Sequence, residues 1–438
     1  MRCLPSVLTL LAAAGLCGPA AAQQAALRKV VLGGSKPVVD KAEVFEKSAY
    51  NFDSPDAWLF IPDLAPGKVI ASHLDHLLVK YEPAVLNGNI RVTAYESGTV
   101  VIPQGAKFAG MTVYDGKGLS GPSMPLECHV KYNDAKLGAM KGAISSFRLK
   151  RGYMATLAEN ENGSGISKNY VAQDNDVEVK DLHELDGKVR FIRVFPWRWT
   201  SKKGIAGGIH DGLNLGWYYD WNISQNSTPD LEYVPIKQKR YWPGLDQDWK
   251  ARGSIHLLGF NEPDHADQAK MTVDEAIAGW PELLGTGLRL GSPAVSDGGL
   301  SWLYDFMKKA DAAKLRVDFV AVHYYRAVSD PGDGKAAAAQ FYNFIKEIHE
   351  RTGRPIWITE WNNGANWTGG RDPNAKEQAK AVDEMIKMLD KTPFVERYAL
   401  YNWVEEGREI KRKDGSLTPA GEIYRDKVSP LAYKQEKY

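Results

Sequence analysis

The chain has 438 residues, 44% hydrophobic and 25% charged, a balance that excludes wholesale disorder and leaves room for two or three domains. Its 55 Lys and Arg stand against 54 Asp and Glu, for a net charge of +1. No strong field draws in nucleic acid or an anionic membrane, so neither is expected as a partner.

Met1–Ala22 reads as a secretory signal peptide. Arg2 supplies the positive end, Val7–Leu16 is apolar but too short to span a bilayer, and Ala20-Ala21-Ala22 offers a small-residue cleavage site. The expected location is therefore secreted or periplasmic. Cleavage removes Cys3 and Cys17 and leaves Cys128, so no internal disulfide can form. Zinc-type spacings are absent, and no metal or other cofactor is expected.

Residues 23–186 are expected to form an all-β, sandwich-like accessory domain. Short runs such as Lys68–Ala71, Ile90–Tyr95 and Gly98–Ile102 recur, and turn clusters such as Asn87-Gly88-Asn89 and Asp115–Gly118 separate them. No helix is expected there. Tyr50, Phe52, Trp58 and Phe60 form either a glycan-binding face or a core, and both readings stand.

Residues 187–438 change to a rhythm of strand, loop and helix. Candidate strands are Val189–Phe195, Asn214–Tyr219, Tyr233–Ile236, His256–Phe260, Leu288–Pro293, Phe319–His323, Ile356–Thr359 and Tyr398–Asn402. Several are continuous apolar runs, as in parallel strands covered on both faces. A capping box, Thr272 to Glu275, opens a helix, and Trp302–Lys314, Ala336–Arg351 and Asn374–Leu389 show helical spacing. Ser201–Gly212 is Gly-rich and holds at most a stub of helix. Eight such units predict a (β/α)8 TIM barrel, so the fold class is multidomain, an all-β domain followed by the barrel.

A barrel of this kind carries its site at the C-terminal ends of its strands. There stand Glu262, in Asn261-Glu262-Pro263-Asp264, and Glu360, in Glu360-Trp361-Asn362. They fall on the fourth and seventh strands, nearly opposite one another. Two carboxyl groups across a cleft are the minimum machinery for breaking a glycosidic bond, one protonated to serve the leaving oxygen and one ionised to meet the anomeric carbon. Either glutamate alone could be half of a surface ion pair or an ordinary helix-end residue. The pair at those two strands is much harder to explain that way. Asn261 is placed to bond a sugar hydroxyl.

Aromatic residues gather at the predicted strand ends: Trp217, Tyr219 and Trp221 at the second, His323 and Tyr325 at the sixth, Trp361 at the seventh and Trp403 at the eighth. Their faces suit sugar C–H faces, and a neutral, Trp-rich cleft suits an uncharged polysaccharide. Trp280, Trp302 and Trp357 read as core. Gly204–Gly208 lacks the strand–helix frame of a dinucleotide site.

Together, Gly259–Asp264, Gly291–Ala294, Asp318–Tyr325, Trp357–Trp361, Leu215–Trp221 and Leu417–Tyr424 resemble the glycosyl hydrolase catalytic core of glycoside hydrolase family 128, in the retaining clan A. The resemblance implies Glu262 as general acid/base, Glu360 as nucleophile, and a neutral β-glucan, β-1,3-linked, as substrate. Members are typically endo-β-1,3-glucanases. The abbreviated first units and large N-terminal module leave endo or exo action open. Alternatives are a glycosidase of another neutral polysaccharide, such as a mannan or algal galactan, and a non-catalytic glycan-binding protein.

Overall fold

A computed structural model describes residues 26–438 apart from 35, 106, 107 and 406. The expected signal peptide, with Cys3 and Cys17, lies outside the described residues.

Four sheets build the first part. Arg28–Leu32, Ser48–Phe52 and Leu77–Val79 pair in parallel, with Glu82–Pro83 antiparallel at one edge. Val38–Val39, Leu59–Ile61, Gly98–Pro103 and Ile90–Tyr95 form a second sheet. Tyr50, Phe52, Leu59, Ile61, Val92 and Val101 meet in the core they share. A helix, Pro66–His73, adds Val69 to that core. The region is thus β-rich but not all-β, and Lys68–Ala71 is helix rather than strand. Pro66 sits in the first turn, where its missing N–H costs nothing, and burial of Val69 overrides the strand preference of Val69-Ile70.

The third and fourth sheets are antiparallel throughout. One contains Met111–Gly116 and Ser146–Leu149, the other Tyr153–Ala158 and Phe191–Pro196. Along Tyr153–Ala158 the side chains alternate. Tyr153, Ala155 and Leu157 enter the core between these sheets, while Met154 joins a second core containing Ile205, Leu257 and Leu288.

Those last residues belong to a parallel ring. Lys203–Ala206, Trp217–Tyr219 and Glu232–Tyr233 pair in sequence, and a bridge from Ile236 to Leu258 continues to the strand His256–Leu257. That strand pairs with Arg289–Leu290, and bridges Gly291–Phe319 and Val295–Val322 lead to Val320–Tyr324. Ile356–Trp361 and Val395–Tyr401 follow, and the last strand pairs back onto Lys203–Ala206. Helices Val273–Leu284, Leu300–Ala312, Gly334–Thr352, Ala375–Lys391 and Pro419–Asp426 follow the later strands, and the Thr272–Glu275 capping box is present. No helix follows either of the first two strands among the described residues.

Val189–Phe195 is not the first strand of this ring. Phe191–Pro196 lies antiparallel to Tyr153–Ala158 in the fourth sheet. That sheet has its own core on one face and the ring on the other, so its strands read as continuously apolar, the mark taken for a covered parallel strand. The true first strand, Lys203-Gly204-Ile205-Ala206, hides behind a lysine and a glycine. Lys203 is buried because its ammonium caps the last helix, donating to the carbonyls of Tyr424 and Lys427. Gly204 is required because a Cβ there would sit 2.5 Å from the Trp217 indole on the next strand.

Strand starts carry a buried ionic layer. Glu232 accepts from Arg397 at 2.7 Å and lies 2.8 Å from His256 Nδ1, and Arg289 grips Glu396 with two bonds of 2.6 and 2.7 Å. The β-rich region docks at this same end. Thr156 and Arg193 each donate to the loop before the fifth strand, to Gly287 and Thr286 carbonyls, at 2.8 Å. The opposite end of the ring is left for the site.

Candidate active site

A register shift in one strand decides which side chains reach the mouth. Along Ile356–Trp361 the pairing slips by a residue after Ile358, so Trp357 lies in the inner core, Ile358 and Trp361 lie in the outer one, and Glu360 reaches Tyr219, Trp221 and Tyr325 at the mouth. On Trp217–Tyr219, both terminal residues point inward at different depths. Trp217 lies below, packed on Trp357 and donating to the Lys202 carbonyl at 3.0 Å, while Tyr219 lies above it.

Glu360 is held by three donors. Tyr219 Oη and Trp221 Nε1 each donate to Oε1 at 2.9 Å, and Tyr325 Oη donates to Oε2 at 2.6 Å. A carboxylate with three directed bonds is fixed in orientation. Burial first, then the Glu360 charge, holds both phenols well above the usual tyrosine range, so they remain donors. Tyr325 is itself positioned by its backbone N–H, which donates to Asp297 at 3.1 Å.

Glu262 follows the fourth strand on a backbone with φ of 40°, a left-handed conformation costly for a non-glycine residue. Its N–H donates to the Ala294 carbonyl at 2.7 Å. This strained turn aims the carboxyl at His323, whose Nδ1 lies 2.8 Å from Glu262 Oε1 and 3.6 Å from Glu360 Oε2. Burial works against the imidazolium, but Glu360 and then Glu262 outweigh it and push His323 up to about 9. Burial likewise works against the Glu262 carboxylate, but the His323 hydrogen bond and charge prevail and hold it below its usual range.

Asn261 is buried beside Glu262. Its Nδ2 donates to Gln268 at 3.3 Å, and its Oδ1 has no partner, an acceptor free for a hydroxyl. Trp403 is 47% exposed and packs 6.0 Å from Trp221. It can lie there only because residue 207 is glycine, where a Cβ would stand 2.0 Å from the indole.

The structure therefore gathers Glu262, Glu360, Asn261, Tyr219, Trp221, His323, Tyr325 and Trp403 at one end of the ring. Two expected wall residues do not reach it. Trp217 is buried in the floor, and Trp361 packs against Phe341, Tyr398 and Tyr424 between ring and helices. Sequence reasoning missed Trp367, 60% exposed and 5.2 Å from Tyr325, and Tyr401, packed on both Trp221 and Tyr325. Aromatic character was their only signal, and it does not distinguish core from rim.

Residues 196–424, half of the chain, match the family model described as glycosyl hydrolase catalytic core. The chain belongs to that family. Both glutamates of the glycosyl hydrolase core, and all the family 128 motifs, fall inside the matched span. Alkali-sensitive linkage protein 1 of Schizosaccharomyces pombe is 29% identical over 233 residues, which are 49% of this chain and 41% of that protein. The match thus spans less than half of the curated relative's length. Among solved structures, a family 128 subgroup I endo-β-1,3-glucanase of Amycolatopsis mediterranei, in complex with laminaripentaose, is 33% identical over 52% of this chain and 99% of its own, with a TM-score of 0.46. A subgroup III curdlan-specific exo-β-1,3-glucanase of Blastomyces gilchristii, in complex with glucose, is 29% identical over 51% and 97%, with a TM-score of 0.42.

Proposed function

We propose that the chain is a retaining glycoside hydrolase of (β/α)8 barrel type that cleaves a neutral β-glucan, β-1,3-linked by preference, outside the cytoplasm. The observation that carries this reading is the shared contact of Glu262 and Glu360 with one nitrogen of His323, at 2.8 and 3.6 Å. Two carboxyl groups that close fit the spacing of about 5–5.5 Å used by retaining enzymes better than the about 6.5–9.5 Å that admits a water in inverting ones.

In this reading Glu360, ionised and oriented by Tyr219, Trp221 and Tyr325, attacks the anomeric carbon as the glycosidic C–O bond breaks. Glu262 protonates the leaving oxygen. Its proton comes from His323 along their hydrogen bond, which reconciles an acid role with a carboxyl that is ionised at rest. Ester formation at Glu360 removes the strongest pull holding a proton on His323. Glu262 then takes a proton from water, which attacks the glycosyl ester and frees Glu360. The proton returns to His323, and the cycle balances.

The linkage rests on the motif resemblance to family 128, whose members are typically endo-β-1,3-glucanases. Trp403 and Trp367 supply exposed aromatic faces on either side of Glu360's donors, suited to sugar rings. The test is the product profile of the purified protein on laminarin, curdlan, a β-1,4-glucan, a mannan and a galactan. Oligosaccharides from the first two alone support the reading. Release from mannan or galactan alone replaces the substrate, and binding without product on any of them removes the enzyme.

A further inference from the structure

A cavity of about 120 Å³ lies in the seam between the β-rich region and the base of the ring, at the end away from Glu262 and Glu360. Its lining includes three basic side chains, Arg91, Arg198 and Lys250, together with His129, and no Asp or Glu among the described residues. Arg91 is only 6% exposed. Its Nη1 and Nη2 donate to the carbonyls of Trp197 and Gly152 at 3.1 and 2.8 Å, and its Nε has no partner. The rings of Tyr153 and Trp199 flank the guanidinium at 5.2 and 5.6 Å, which eases its burial without neutralising its charge. Arg198 Nε and His129 Nδ1 are also buried without partners.

Elsewhere this fold pairs its buried arginines. Arg289 meets Glu396, Arg397 meets Glu232, and Arg316 meets Asp318. Lys202 and Lys203 are also buried without a carboxylate, but each ammonium donates to three carbonyls, whereas Arg91 keeps a bare Nε. Unpaired burial of a charge is costly, so Arg91 asks for a counter-ion. Asp230 and Glu232 act on Arg198, and Asp248 on His129, but all three stand outside the lining, and Glu232 is already engaged by Arg397 and His256. The volume equals that of about four waters at about 30 Å³ each, room for one small oxyanion with residual solvent.

We propose that this seam binds a small tetrahedral oxyanion of the phosphate or sulfate class, held by Arg91, Arg198 and Lys250. The anion ties the two regions together, because Arg91 comes from the β-rich region and Lys250 from the segment before the fourth ring strand.

The probe is inorganic phosphate, titrated into the full chain by calorimetry with ionic strength held constant by chloride. The expected result is saturable binding of one phosphate per chain and a rise in Tm that chloride does not reproduce. Lys250→Met and Arg198→Met, both distant from the carboxylate site, should each weaken binding at least about tenfold with hydrolysis unchanged. Arg91→Met is not relied on, since its loss also frees two carbonyls. Absence of saturable binding to the wild-type chain overturns the proposal, and so does binding that neither variant weakens.

Discussion

His323 Nδ1 stands 2.8 Å from Glu262 Oε1, and the same nitrogen is 3.6 Å from Glu360 Oε2. One buried imidazole thus lies between the two carboxylates that the fold brings from strands nearly a hundred residues apart. Its charge offsets theirs where water is scarce, and it can hold the proton the leaving group needs.

This arrangement makes stability depend on pH. A histidine raised to about 9 in the fold, against an ordinary value near 6.5, contributes stability that is full below the lower value and lost as pH rises through the higher one. Glu262 works in the other direction: its contribution is present above the ordinary carboxyl range and lost as pH falls through its depressed value. Denaturant unfolding of wild type and His323→Ala should differ most near about pH 6 and converge by about pH 10. A difference that does not vary with pH contradicts the ion pair.

Glu262→Gln and Glu360→Gln should each lower kcat by at least about a hundredfold while leaving the fold intact. Circular dichroism and thermal melts report the fold, and initial rates on laminarin report the loss. Added azide should partly rescue turnover of Glu262→Ala with a good leaving group, because such a group departs without a proton and azide attacks the glycosyl ester without the base that Glu262 supplies.

Tyr219→Phe and Tyr325→Phe keep their rings and remove one donor each from Glu360. A hydrogen bond to a charged group is worth about 1.5–3 kcal/mol, so kcat/KM should fall by about ten- to a hundredfold. The Tyr325 variant, losing the 2.6 Å bond, should be the more impaired. Equal rates in both variants and wild type would mean that Glu360 needs no such support.

Two tryptophans of similar sequence context should behave oppositely. Trp403→Ala should raise KM and leave Tm nearly unchanged, since the side chain is 47% exposed at the rim. Trp217→Ala should cost about 3–5 kcal/mol of stability, because it empties the floor of the ring. Thermal melts and saturation kinetics separate the two.

Arg397→Met should cost about 3–5 kcal/mol by leaving the Glu232 carboxylate buried without its main cation. Activity per folded molecule should change little, since this layer lies at the strand starts. Urea unfolding beside rates at saturating glucan checks both halves.

Much of the site was legible because its rule is local. An apolar run followed by Asn261-Glu262, and another ending in Glu360, places each acid at a strand end whatever the strand's exact number. That is why both glutamates survive the error over the first strand, where Phe191–Pro196 mimics a barrel strand and Lys203–Ala206 does not. Depth was not legible. Trp217 and Tyr219 share a face, and only the shape of the floor decides which one touches Glu360. Nor does sequence reveal the buried pairings of Glu232 and Glu396, since their partners are fixed by ring closure. The helix Pro66–His73 was hidden by its own β-branched residues.

The most direct test is to trap the covalent intermediate. A fluorinated β-glucosyl donor that forms the glycosyl ester but slows its hydrolysis should add one sugar to the intact protein, and peptide mapping should place it on Glu360. A label on Glu262, or inactivation without any sugar attached to the protein, would contradict Glu360 as the attacking carboxylate.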